Sequence, residues 1–133
     1  FDLSQVGPIL EEIYERLTPV TIENLDWADL IARYDRPDTL FYLDPPYWGN
    51  DTDYLPSGFG RDDFARIAER LGRLKGRAIV SLNDTPGVRE TFAAFRMEEA
   101  ELPYTIGQAS GGVKEAKEVL IYTFDRPALP LFG

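Results

Sequence analysis

Asp44-Pro45-Pro46-Tyr47 is the segment of this chain best equipped for chemistry. It follows directly on an apolar run, Thr39-Leu40-Phe41-Tyr42-Leu43, whose β-branched and aromatic content predicts a buried strand. A strand that ends in a carboxylate and two prolines puts a rigid, sharply turned loop at its carboxyl end, where open α/β sheets carry their ligands. Proline fixes φ and has no N–H, so the Pro45 and Pro46 carbonyls are held in place without being tied into a ladder. The product is a set of acceptors, the Asp44 carboxylate and a neighbouring carbonyl, beside the aromatic face of Tyr47. Such a set suits a planar ring bearing an amino group. Asp-Pro and Pro-Pro are also ordinary turn formers, and an aromatic after them can simply pack on the sheet. The strand in front of the motif is the context that favours a site.

Composition narrows the chemistry further. There is no histidine and no cysteine. That removes a histidine general base, a serine–histidine couple, histidine or thiolate metal ligands and a disulfide framework. No metal site is expected, and a cysteine-free chain is compatible with a reducing cytoplasm. The chain is 133 residues long, 44% hydrophobic and 28% charged, which fits one soluble domain with a real core. No run of 18 apolar residues calls for a membrane span, and no basic-then-apolar leader precedes the first helix. Fourteen basic against 23 acidic residues give a net charge of −9, the opposite of the basic footprint of a nucleic-acid binder. The chain begins at Phe1 and not at Met, which suggests a fragment or processed product.

The elements that must position the motif can be read along the chain. Ile9, Leu10, Ile13, Tyr14 and Leu17 recur at helical spacing with Pro8 in the first turn, and Pro19 stops that helix. Val20-Thr21-Ile22 predicts a strand, and Trp27, Leu30, Ile31 and Tyr34 a short helix ending before Pro37. After the Asp44 strand comes a long loop, Trp48 to Arg61, of a length usually tied to function. Asp62 or Asp63 would cap the next helix, with Phe64, Ile67, Ala68 and Leu71 inward and Gly76 at its end. Ala78–Leu82 predicts a third strand, and Thr85-Pro86 opens a helix to about Phe95. Two more strands are expected near Glu101–Ile106 and Glu118–Phe124. Five strands and four helices in this order predict an α/β fold, a mostly parallel sheet with an antiparallel carboxyl-terminal edge. Gly58-Phe59-Gly60 joins no strand to a helix N-terminus within a βαβ unit, so it is not a dinucleotide fingerprint.

These motifs together resemble the Dam-type class of adenine-specific DNA methyltransferases. The resemblance runs from about Leu17 to Phe124. It is carried by Ile22 through Trp27, Phe41 through Tyr47, Val80-Ser81-Leu82-Asn83-Asp84, and Ser110-Gly111-Gly112 leading to Val119-Leu120-Ile121-Tyr122. It implies a partial doubly wound, Rossmann-like methyltransferase sheet, with residues 1–124 the carboxyl-terminal part of a catalytic domain and 125–133 an extended tail. The family's Phe-x-Gly-x-Gly segment, which cradles S-adenosylmethionine, and its target-recognition insert do not occur here. A basic DNA-gripping surface in that portion would account for the acidic charge of this one. In the family's sheet two strands from that portion stand between those near Ile22 and Tyr42. The chain alone is therefore expected to leave unpaired strand edges and exposed apolar surface, and to self-associate or rely on another segment of the same protein.

The resemblance also assigns roles. Asp44 and the Pro45 carbonyl would accept the two hydrogens of an adenine amino group, Pro46 stiffening the loop, and Asp44 would lie beside the cofactor. Tyr47 would stack on the base once it leaves the duplex. Trp48 would extend that platform, packing of the loop being the simpler reading. Asp26 would accept from the cofactor's adenine while Trp27 covers its ring; a helix N-cap and a core tryptophan are the alternatives, and Asp26 can be both. Tyr54 and Phe59, in the long loop, would close over the base, simple surface aromatics being the equal alternative. Asn83 and Asp84 would line its pocket, Asp84 as cap of the following helix being the simpler reading. Lys114 and Lys117 flank a Gly-rich loop and read best as a solvated edge.

The implied activity is S-adenosylmethionine-dependent N6-adenine methylation of double-stranded DNA through the full-length protein. Restriction-modification is one setting, in a bacterial, phage or prophage cytoplasm, and the fragment alone is expected to be inactive. Rival readings are an RNA amino-group methyltransferase, since Asp-Pro-Pro-Tyr also serves guanine amino groups in ribosomal RNA, and a non-catalytic interaction remnant. The tail Ala128-Leu129-Pro130-Leu131-Phe132 resembles sliding-clamp docking peptides but lacks their usual leading glutamine; folding back onto the domain is the simpler reading.

Overall fold

The computed structural model describes residues 6–49, 59–101 and 117–125. Tyr54, the Ser110–Gly112 loop, Lys114 and the tail from 126 onward lie outside the described residues. The chain divides into two compact units, residues 1–32 and 33–133.

The first unit holds helix α1, Val6–Leu17, and most of helix α2, Trp27–Tyr34. The Thr18 hydroxyl and N–H both reach the Tyr14 carbonyl, at 2.8 and 3.0 Å, closing α1 before Pro19 as its position requires. Ile9, Leu10, Ile13, Tyr14 and Leu17 form the expected stripe, and all are exposed. The strand expected at Val20–Ile22 is not formed, and residues 20–26 are irregular. Val20 and Ile22 are 51% and 88% exposed, and β-branched residues make a strand only where a neighbour takes up their backbone donors and acceptors. Asp26 caps α2: its Oδ1 accepts from Ala28 N at 2.9 Å, and its carbonyl accepts from Leu30 N at 3.0 Å.

The second unit is built on a four-stranded sheet. Its elements in chain order are β1 (Leu40–Leu43), α3 (Arg61–Leu71), β2 (Arg77–Asn83), α4 (Pro86–Thr91), β3 (Arg96–Glu101) and β4 (Lys117–Tyr122). The strand order is β1-β2-β4-β3. β1 and β2 run parallel, joined through α3 as a βαβ crossover demands. The pairs β2–β4 and β4–β3 are antiparallel. The fold is mixed α/β as predicted, but among the described residues the parallel pairing is one of three and not the majority.

Side-chain alternation divides the sheet chemically. Phe41, Ala78, Val80, Leu82, Val119 and Ile121 are buried and share one face by register, the apolar half of the core. Phe64, Ile67 and Leu71 of α3, Val88 of α4 and Phe92 complete the buried set. Ser81, Asn83 and Glu118 stand on the opposite face. At the sheet margin Leu40 and Tyr42 of β1 are 56% and 65% exposed, and β1 pairs on one side only among the described residues.

Helix ends depart from the sequence reading in instructive ways. α3 is capped from Gly60, not from Asp62 or Asp63. Asp63 sits at the third helical position and reaches back so that its Oδ2 accepts from Gly60 N at 2.9 Å, with Arg66 at 2.7 Å from its Oδ1. α3 also ends at Leu71, with Gly72 at its C-cap, well before Gly76. Gly76 instead serves a close crossing of the backbone, since a Cβ there would lie 2.5 Å from the Thr39 carbonyl oxygen and 2.7 Å from that of Arg36. The start of β2 thus passes so close to the turn before β1 that only glycine fits. The Asp35 carboxylate fastens the same crossing, accepting from Gly76 N at 2.9 Å and Lys75 N at 3.0 Å. Thr85 and not Asp84 caps α4, its hydroxyl accepting from Val88 N at 3.3 Å. α4 stops at Thr91 and β3 runs over Arg96–Glu101; of the strand expected near Glu101–Ile106, residues 102–106 lie outside the described residues. The fully buried Phe92 sits in the turn between them, so the apolar residues read as a continuing helix face in fact close it.

Candidate active site

β1 ends at Leu43 and Asp44 opens the loop, as the Thr39–Leu43 run predicts. Asp44 is exposed, while Pro45, Pro46, Tyr47 and Trp48 are half-buried. An exposed carboxylate at the carboxyl end of a strand is free to meet a ligand, and nothing in the core depends on it.

Two cross-strand neighbours hold the next part of the loop. Asn83, the last residue of β2, is in register with Glu118 of β4, so both side chains project from the same face. The Asn83 carboxamide pairs with the main chain of Trp48: Oδ1 accepts from Trp48 N at 2.8 Å and Nδ2 donates to Trp48 O at 2.9 Å. The hydroxyl of Tyr47 donates to Glu118 Oε1, a carboxylate that is only 7% exposed. Ser81 Oγ stands 3.4 Å from the other carboxylate oxygen, at the weak end of hydrogen bonding. Consecutive loop residues are thereby gripped by neighbouring strands of the sheet, one through its main chain and one through its ring.

Trp48 itself packs. Its ring lies 5.0 Å from that of Phe64, and Phe59 meets Phe64 edge-on at 5.2 Å. The Arg61 guanidinium sits 5.4 Å from the Trp48 centroid. A Cβ on Gly87 would fall 2.3 Å from the Trp48 ring, so the bare backbone of α4 is the floor on which the indole rests.

The expected site residues therefore come together in part. Asp44, Pro45, Pro46, Tyr47, Trp48 and Asn83 converge at the ends of β1 and β2. Asn83 bonds the loop backbone at Trp48, and Trp48 packs on Phe64. Asp84, read as a cap, forms a two-bond ion pair with Arg89 at 2.6 and 2.7 Å, and Arg89 also meets Glu99 at 2.8 Å. The guanidinium holds the Asp84 carboxyl below its ordinary range, and Asp84 and Glu99 together hold Arg89 protonated. Asp26 and Trp27 belong to the other unit, where Asp26 Oδ1 serves the cap and the carboxylate retains further acceptor capacity. Glu118 and Gly87 were not singled out from sequence. Glu118 carried a signal, a carboxylate on the same alternating face as Leu120 and Tyr122 in a strand that is apolar from Val119 onward.

This arrangement belongs to a recognised class. The model of the D12 class N6 adenine-specific DNA methyltransferases matches residues 7–106, most of the chain, and the chain is a member of that family. It is also 27% identical over 105 residues to the Type II methyltransferase M.CviBI of Paramecium bursaria Chlorella virus NC1A. That alignment takes in 79% of this chain and 40% of the viral protein, so the chain spans less than half the length of that relative.

Proposed function

We propose that this chain is the carboxyl-terminal catalytic portion of an enzyme that methylates the N6 amino group of adenine in double-stranded DNA, with S-adenosylmethionine as donor. The observation that carries the reading is an exposed Asp44 at the end of a parallel strand, followed by a tyrosine and a tryptophan whose positions are fixed from the sheet, inside the region matched by the family.

Bound cofactor supplies a methyl group on a positively charged sulfur. The chain's part is to prepare the nucleophile and hold it in line. An exocyclic amino nitrogen is poorly nucleophilic because its lone pair is delocalised into the ring. Asp44 and the Pro45 carbonyl accept its two hydrogens, draw the nitrogen toward tetrahedral geometry and free the lone pair. With the donor bound, the new N–C bond would form as the C–S bond breaks, leaving a neutral thioether. The proton shed by the positively charged nitrogen would pass to Asp44 and from there to solvent, Asp44 also offsetting the charge as it grows. No strong base is required, in keeping with a chain that has no histidine. Tyr47 presents its ring to the base, which must leave the helical stack to be reached. Asp26 fits a cofactor role as a carboxylate with an acceptor to spare beyond its cap.

The test is transfer of labelled methyl groups from S-adenosylmethionine by the full-length protein to unmethylated duplex DNA and, separately, to ribosomal RNA. N6-methyladenine in the DNA product supports the reading. Label confined to guanine in RNA transfers the same chemistry to the other substrate and overturns it.

A further inference from the structure

We infer that Glu118 is a positioning residue for methyl transfer: a buried carboxylate on β4 that fixes the ring of Tyr47 through its hydroxyl. The inference rests on the proposed reading of the Asp44–Tyr47 loop and deepens it.

The argument begins with cost. A carboxylate removed from water is unfavourable unless hydrogen-bonded, and beside the exposed Lys117 the rest of the strand, Val119, Leu120, Ile121 and Tyr122, is apolar and has no packing need for one. Glu118 is 7% exposed, yet it meets the tyrosine of the catalytic loop 71 residues away in sequence. A phenol whose hydroxyl is held by a carboxyl oxygen has the direction of its ring axis fixed, and because the O–H prefers the ring plane the acceptor also restrains rotation about that axis. The ring plane, which is the surface offered to a base, then has a preferred orientation. The hydroxyl is spent on the protein, so the contact Tyr47 offers a substrate is its face and not its O–H. The Asn83–Trp48 pairing beside it stops the backbone from sliding, and register places Asn83 directly across from Glu118. The two strands act on the loop as one clamp, and Glu118 is the half that sets the ring.

This gives Tyr47→Phe and Glu118→Leu the same consequence by different routes, since each removes one end of a single bond. Kinetics of the full-length protein on unmethylated plasmid DNA decide it. We expect each variant to lower kcat by about tenfold, with KM for S-adenosylmethionine within about twofold of wild type, because the contact orients the base and not the donor. The double variant should be no slower than the slower single one. Glu118→Gln should recover most of the loss, since its Oε1 still accepts from the tyrosine hydroxyl. Melting temperatures show whether Glu118→Leu has lost its fold; Tyr47→Phe, which retains the ring, keeps the inference open to refutation if it has. Wild-type kcat in Tyr47→Phe, or effects that multiply in the double variant, would overturn the inference and leave the reading of function standing. A wild-type protein that methylates neither DNA nor ribosomal RNA would overturn both.

Discussion

Asn83 and Trp48 are joined by two opposed hydrogen bonds, Trp48 N to Asn83 Oδ1 at 2.8 Å and Asn83 Nδ2 to Trp48 O at 2.9 Å. The pairing needs a donor and an acceptor on one planar group, which only an amide side chain offers at this length. Asn83→Asp keeps the shape, removes the donor, and sets a second carboxylate opposite Glu118 and against the Trp48 carbonyl. We expect it to cost about 1–3 kcal/mol of stability and to depress methyl transfer more than Asn83→Ala does. Urea unfolding with parallel kinetics checks this; an Asn83→Asp protein as stable and as active as wild type contradicts it.

Asp44→Ala tests the chemistry without disturbing the fold. Asp44 is exposed and outside the buried core, so melting should be unaltered. Methyl transfer should fall well below about a tenth of wild type, because the amino group loses the acceptor that frees its lone pair. Retention of more than that fraction sinks the assignment.

Gly87→Ala should destabilise, although alanine is the better helix former by about 1 kcal/mol. The added methyl would stand 2.3 Å from the Trp48 ring, which must leave its place between α4 and Phe64. Overpacking of this kind costs about 1–3 kcal/mol. Trp48→Ala in the same chain should cancel most of the Gly87→Ala effect, and simple additivity in chemical denaturation would count against the contact.

Acid should unfold the second unit in a defined window. Asp35 titrates below the ordinary aspartate value of 3.8, chiefly because Gly76 N–H donates to it, and Asp84 does so chiefly through Arg89. A carboxyl with a depressed folded pKa contributes its stability above the unfolded value, and that contribution is lost as pH falls through the folded one. Melting temperature should therefore drop as pH is lowered from about 5 to below 3, and less steeply in Asp35→Asn and Asp84→Asn. Parallel curves for both variants and wild type would refute the linkage.

What the sequence disclosed follows the range of the forces involved. β1 and β2 were legible because buried apolar runs and flanking turn residues are local signals, and α3 because Phe64, Ile67 and Leu71 recur at helical spacing. The strand at Val20–Ile22 was misread because β-branched content says nothing about whether a partner strand is present. The start of β3 at Arg96 was missed because Phe92 and Phe95 look alike whether they extend a helix or close one. Asp44 to Tyr47 could be read from their order alone. The two groups that hold the loop could not: Glu118 is 71 residues from Tyr47 and Asn83 is 35 from Trp48, and only the register of β2 with β4 brings both to one face.

The seat of Trp48 has an optical consequence. The chain has two tryptophans, Trp27 and Trp48, so Trp27→Phe leaves a single indole next to the catalytic motif. That indole lies between an aromatic neighbour, Phe64, and the positive charge of Arg61. Its emission energy and lifetime will register any displacement of the loop that Asn83 restrains. Any ligand that moves the loop can then be followed in real time by the protein's own fluorescence, with no label attached.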